Sequence, residues 1–168
     1  MPATSTPRIF QSHTTSPLGD VLLAATEQGL AGVWFVQGQL HMPDSSQWTT
    51  DEAHPTLLAA AQQLHDYFSG QRKSFDLPLQ PAWGTPFQRA VWQALQRIPY
   101  AHTSTYGDIA RDIGNPKAVR AVGAAIGQNP HSIVVPCHRV VGANGSLTGF
   151  SGGLDRKKHL LHHEATHA

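Results

Sequence analysis

Apolar positions along this chain follow two rhythms, and the change between them divides it. Val21–Thr26 and Leu30–Val36 are nearly unbroken apolar runs, as expected of short buried strands. Gln28-Gly29 between them is a hairpin signal. Arg8–His13 predicts an earlier strand before a turn at Ser16-Pro17-Leu18-Gly19, and residues 1–8 read as a flexible leader. Polar, proline-bearing residues 37–54 predict a loop. A helical rhythm then appears at Leu57, Leu58, Ala61, Leu64, His65 and Phe68, ending near Gly70. Phe75–Leu79 predicts one more short strand. This half shows no catalytic constellation and reads as structural.

Proline and glycine crowd residues 78–84, which places a boundary between a domain at 1–80 and another at 81–168. Beyond it the signals are helical. Thr85 is positioned as an N-cap, with Pro86 first in the helix and Gln88 reaching back in a capping box. Phe87, Val91 and Leu95 share one face, with Trp92 beside it. Thr105 starts a helix from Tyr106 through Ile113, and Gly114 stops it. Asn115 and Pro116 predict the start of a third helix running to about Gly127. A helix pair joined by so tight a turn reads as a helix-turn-helix. At 100° per residue, Val119, Val122 and Ile126 face inward, and Lys117, Arg120, Ala124 and Gly127 face out. Two cations and two very small residues allow close approach to a DNA groove. Lys117 would lie near phosphate, and Arg120 could enter the base stack. An ordinary solvated face is the other reading. A last helix begins near Leu154, with Leu154, Leu161 and Glu164 on its inner side. An inward carboxylate needs partners, and a histidine is a natural one.

Composition narrows the class. The 168 residues are 40% hydrophobic, enough for a core, yet no apolar run reaches membrane-spanning length. The N-terminus lacks the pattern of a secretory signal. A single cysteine permits no internal disulfide and suits a reducing, cytoplasmic setting. Charge is asymmetric: residues 1–80 carry three Lys/Arg against seven Asp/Glu, and residues 81–168 carry nine against four. The second half is therefore suited to a polyanion. Eleven histidines show no metal-ligand spacing and read as mostly surface residues.

The candidate chemistry lies between Ile133 and Gly142, where the only cysteine sits in Pro136-Cys137-His138-Arg139-Val140. A lone cysteine is often an inert small hydrophobe. Here His138 follows directly as a possible base, and a thiol with an ordinary pKa near ~8.5 needs activation at neutral pH. Thr148–Gly153 is a glycine-rich loop suited to close ligand contact, without phosphate-loop spacing. A Cys-His-acid set would also serve a cysteine hydrolase. That enzyme leaves the cationic helix unexplained.

Pro136–Val140, taken with Tyr106, Arg120, Asn129-Pro130, Ser151-Gly152-Gly153 and Glu164, resembles the O6-alkylguanine-DNA alkyltransferases (methylated-DNA–protein-cysteine methyltransferases). The likeness runs from about Thr85 to Glu164. It implies direct-reversal repair: one transfer of an alkyl group from O6-alkylguanine, and from O4-alkylthymine, to Cys137. His138 would deprotonate the thiol through a water, Glu164 would orient the ring and Asn129 would brace the turn. Tyr106 would donate a proton toward guanine N3, and Arg120 would fill the gap left by the flipped nucleotide. Backbone groups at Cys137, Val140 and Ser151 would read the base, with Phe150 as an aromatic wall. A thiol pKa below the free value is expected of such a relay.

The likeness also implies a monomer that binds double-stranded DNA through the minor groove, with no cofactor, metal or membrane. The implied fold is an α/β N-terminal domain with a small ribonuclease-H-like sheet, then a mainly helical C-terminal domain containing the helix-turn-helix. Phe150 stands where this family often has tyrosine, which puts a hydroxyl-specific role there in doubt. No four-cysteine zinc module precedes the domain, which disfavours a methylation-triggered activator. A lesion-binding module of the same fold lacks the acceptor cysteine. A sequence-specific regulator would need base-reading side chains where Ala124 and Gly127 stand.

Overall fold

The two apolar runs pair with each other and become the centre of a sheet. The computed structural model describes residues 7–168, so most of the predicted leader lies outside the described residues. Strands β1 (Phe10–Thr14), β2 (Val21–Thr26) and β3 (Gly29–Phe35) are antiparallel neighbours. A short β4 (Thr49–Thr50) joins β1 in parallel, giving the order β3-β2-β1-β4. Every residue of β2 and β3 is buried, because both faces of the sheet are covered. Helix α1 (Pro55–Phe68) packs on one face through Leu57, Ala60, Leu64 and Tyr67. On the other face, Trp34 meets Trp48 and Trp83.

The strand expected at Phe75–Leu79 does not form. The segment makes one bridge, Leu30 to Leu79, with Leu30 N donating to Pro78 O at 2.6 Å and Gln80 N to Leu30 O at 2.8 Å. Pro78 has no N–H to continue a ladder.

The second half is mainly helical: α2 (Pro86–Leu95), α3 (Tyr106–Asp112), α4 (Val119–Gly127) and α5 (Leu154–Thr166), with a two-residue parallel pair of β5 (Ser104–Thr105) and β6 (Val140–Val141). The predicted capping box is present: Thr85 Oγ1 accepts from Gln88 N at 3.1 Å, and Gln88 Oε1 accepts from Thr85 N at 3.0 Å. Gly114 ends the α3 segment with φ +77°, the left-handed conformation that glycine reaches without strain. Val91, Leu95, Ile109, Val122, Ala125 and Ile126 form the helical core.

Two helix expectations need correction. Asn115-Pro116 does not open α4; Ala118 N donates to Asn115 O at 3.0 Å, closing a separate turn, and α4 starts at Val119. Lys117 therefore lies in that turn and not on the helix. Val119 is 41% exposed and outside the core, so Ala125 takes the inward place assigned to it. On α5 the buried positions are Lys157, Leu160 and Glu164, at spacings of three and four, while Leu154 is 50% exposed.

The cysteine-bearing stretch belongs to both cores. Val33 N donates to Pro130 O at 2.8 Å, and Ser132 N to Val33 O at 3.0 Å, which ties the stretch to the free edge of β3. Ile133 and Val134 pack with the sheet, and Val135, Cys137 and Val140 pack with the helices. Ile133 has φ +72°, and left-handed backbone at a β-branched residue costs about 1–3 kcal/mol. Burial in the sheet core holds it there. No helix among the described residues is long and apolar enough to cross a membrane.

Candidate active site

Pro136 N-caps a single 3-10 turn, Cys137–Arg139, which places the thiol where the two cores meet. Asn129 Nδ2 donates to Val135 O at 3.0 Å and to His131 O at 3.3 Å, and its Oδ1 accepts from His131 N at 3.0 Å. One amide thus fixes the backbone on both sides of the strained Ile133. Cys137 is 3% exposed, and burial pushes its thiol up to about 11 despite the Asn129 side chain and the Lys157 charge. The shift runs opposite to the lowered pKa expected of the relay. Removing a thiolate from water outweighs the groups that favour it.

His138, next in the chain, is fully buried. Its Nε2 meets Glu164 Oε2 at 2.7 Å, and a carboxylate partner assigns the proton to that nitrogen. Nδ1 has no partner among the described residues. Burial holds the imidazole below its ordinary value, against the opposing pull of Glu164, so the ring is neutral near pH 7 and Nδ1 carries a free lone pair. Glu164 is 1% exposed. Burial alone would raise its carboxyl, but bonds from His138 and Arg139 hold it well below the usual carboxylate range. Arg139 donates through Nε at 2.8 Å and Nη2 at 3.0 Å, Tyr67 OH donates at 2.8 Å, and Ala101 N at 3.3 Å.

A cavity of about 450 Å³ opens over the thiol. Cys137, Tyr106, Gly127, Phe150 and Ser151 line it. The Tyr106 hydroxyl lies 2.6 Å from Thr148 Oγ1. Val140 does not line the cavity: it is fully buried, and its carbonyl accepts from Lys157 Nζ at 2.6 Å. Asn129, His138 and Glu164 are buried and do not line the cavity. Arg120 and Ala124 are exposed on α4, while Lys117 is exposed in the preceding turn. Gly127 joins the outer face of α4 to the cavity.

Four residues escaped sequence reasoning. Arg139 and Tyr67 complete the shell of Glu164, and Gly123 lines the cavity beside the Tyr106 ring. Lys157 spans Val140 O and Thr148 O (3.1 Å), with its charge facing Cys137. Its signal was available, since Lys157, Leu160 and Glu164 share one helical stripe. His131 is a further exception to the surface assignment: 2% exposed, it meets Leu30 O at 2.7 Å, and burial holds it down to about 4. No group of three or more His, Cys, Asp or Glu able to hold a metal ion occurs among the described residues.

A lone buried thiol, backed by a neutral imidazole and an ionised carboxylate and open to an apolar cavity, defines a cysteine-nucleophile protein. Comparison with known proteins narrows the class. Residues 9–81 match the family model described as 6-O-methylguanine DNA methyltransferase, ribonuclease-like domain, and residues 86–166 match its DNA binding domain. The methylated-DNA–protein-cysteine methyltransferase of Methanosarcina acetivorans is 53% identical over 148 residues, covering 87% of this chain and 92% of that one. The constitutive enzyme of that name from Bacillus subtilis is 46% identical over 153 residues, covering 90% and 92%. The crystal structure of Mycobacterium tuberculosis OGT in complex with DNA superposes with a TM-score of 0.88 at 43% identity, covering 95% of this chain and 94% of that one. The chain belongs to the 6-O-methylguanine DNA methyltransferase family.

Proposed function

We propose that the chain repairs alkylated DNA by direct reversal, moving an alkyl group once from O6 of guanine, or O4 of thymine, to Cys137. The observation that carries this reading is the single thiol beneath a cavity whose wall, at Gly127, continues into the exposed face of α4. Helices α3 and α4 act as a helix-turn-helix docked in the minor groove of double-stranded DNA, with Lys117 near phosphate. The alkylated base flips into the cavity, and Arg120 takes its place in the stack. Residues 1–80, with a ribonuclease-H-like sheet, and residues 81–168 make the two domains of a cytoplasmic monomer.

The thiol is protonated at rest, so ionisation accompanies substrate binding. Its proton passes through a water to His138 Nδ1, and Glu164 stabilises the imidazolium. Sγ attacks the alkyl carbon, an S–C bond forms as the C–O6 bond breaks, and the electron pair leaves with the base. The Tyr106 hydroxyl donates toward N3 as that charge develops, while Asn129 keeps the Cys137 turn in place. Backbone groups of Cys137 and Ser151 hold the base against Phe150. The thioether is a poor leaving group, so the chain acts once and needs no cofactor.

The test is intact mass after incubation with duplex DNA containing O6-methylguanine. One methyl, roughly 14 Da, is expected on Cys137 and no more. Cys137→Ser is expected to keep DNA affinity and lose transfer. Repeated turnover, or a methyl on another residue, would overturn the reading.

A further inference from the structure

The N-terminal half supplies part of the cavity wall. Leu40 and His41, from the loop after β3, line the same cavity as Cys137. The loop is fixed onto the helical half at three points. Arg156 Nη1 donates to Gln37 O at 2.6 Å, and Leu40 N donates to Ser151 O at 2.7 Å. The Gln128 side chain meets His41 Nδ1 at 3.1 Å. His41 is held at φ +59°, and a left-handed non-glycine residue persists only where its surroundings over-determine it.

These bonds hold an apolar side chain where burial does not require it. Leu40 is 62% exposed, and Leu154, on the same cavity, is 50% exposed. A single exposed leucine needs no explanation. Two on one cavity, one of them tethered through its own backbone to a cavity residue, make an apolar lip. The hydrogen-bonding edge of a base gains nothing from such a lip, whereas a hydrocarbon substituent does.

We propose that Leu40, with Leu154, determines specificity for the O6 substituent by contacting bulky apolar groups such as benzyl, which extend beyond the reach of a methyl. The inference rests on the alkyl-transfer reading and adds the substrate range of that site. No bond is made or broken by either leucine; they hold the substituent while its first carbon meets the thiol.

Single-turnover rates on duplexes of one sequence, carrying either O6-methylguanine or O6-benzylguanine, test it. Leu40→Ala and Leu154→Ala are expected to slow benzyl transfer roughly tenfold and methyl transfer less than twofold. Leu40→Met is expected to restore the benzyl rate. Both sites are exposed, and matching thermal melts show that the variants fold. Equal slowing with both duplexes, an unchanged ratio or faster benzyl transfer would overturn the proposal, the last by showing a steric wall. Wild-type protein that transfers neither group to Cys137 would instead overturn the alkyl-transfer reading itself.

Discussion

Glu164 and the outer face of α4 treat charge in opposite ways. Donors from His138, Arg139, Tyr67 and Ala101 converge on one carboxylate, drawn from both halves of the chain. On and before α4, Arg120 and Lys117 are exposed and pair with no carboxylate among the described residues. Charges that serve chemistry are satisfied internally, so their geometry is set before substrate arrives. The exposed cations have no internal partner among the described residues and are left available to another molecule. The first group is coupled to folding and the second is not.

The sharpest way to break this contrast is to remove one charge from each side. Arg139→Met leaves Glu164 buried without its main counter-charge and is expected to cost about 3–5 kcal/mol in urea unfolding. Arg120→Ala is expected to change stability by less than about 0.5 kcal/mol. It should nevertheless slow repair of duplex DNA far more than reaction with free O6-benzylguanine, since only the duplex needs a base held out. Comparable stability losses in the two variants would erase the contrast.

A second probe is acid. His131 is neutral in the fold, with its pKa lowered to about 4. As pH falls from about 6.5 toward 4, the unfolded chain takes up a proton that the folded chain refuses, so stability is present above this window and lost through it. The loss approaches about 3 kcal/mol for this residue. Buried His138, also lowered, acts with the same sign, and Glu164 extends the loss below the usual carboxylate range. Urea midpoints measured between pH 7 and pH 4 check this, and His131→Gln should show a shallower decline. The smallest effect concerns Ala101, which donates to Glu164 from a left-handed conformation at φ +63°. Ala101→Gly relieves that conformation and should stabilise by about 0.5 kcal/mol, after allowance for glycine's greater freedom when unfolded. A drop in melting temperature would show that the conformation is not strained.

Local signals in the sequence were read well, and distant ones poorly. Thr85-Pro86-Phe87-Gln88 announces its helix because all its partners lie within one turn. The β2–β3 hairpin is legible for the same reason. Asn115-Pro116 misled, because a capping residue before proline fits a helix start and a closed turn equally, and only the surrounding packing decides. Cys137, His138 and Glu164 were legible through their motif, and Arg139 was visible within it but without a role. Tyr67 was beyond reach: its hydroxyl finds Glu164 across 97 positions, and on α1 it looks like any other core aromatic. Leu40 sits in a segment whose polar composition suggested only a connection.

The burial of Cys137 bears on waste. A protein spent by one reaction is lost whenever its thiol meets the wrong electrophile, be it a peroxide or a stray alkylating agent. Small oxidants and alkylators attack thiolates at accessible sites, whereas this sulfur is 3% exposed at the floor of its cavity and burial pushes its pKa up to about 11. Slow loss of the free thiol while the protein waits for a lesion is the expected consequence.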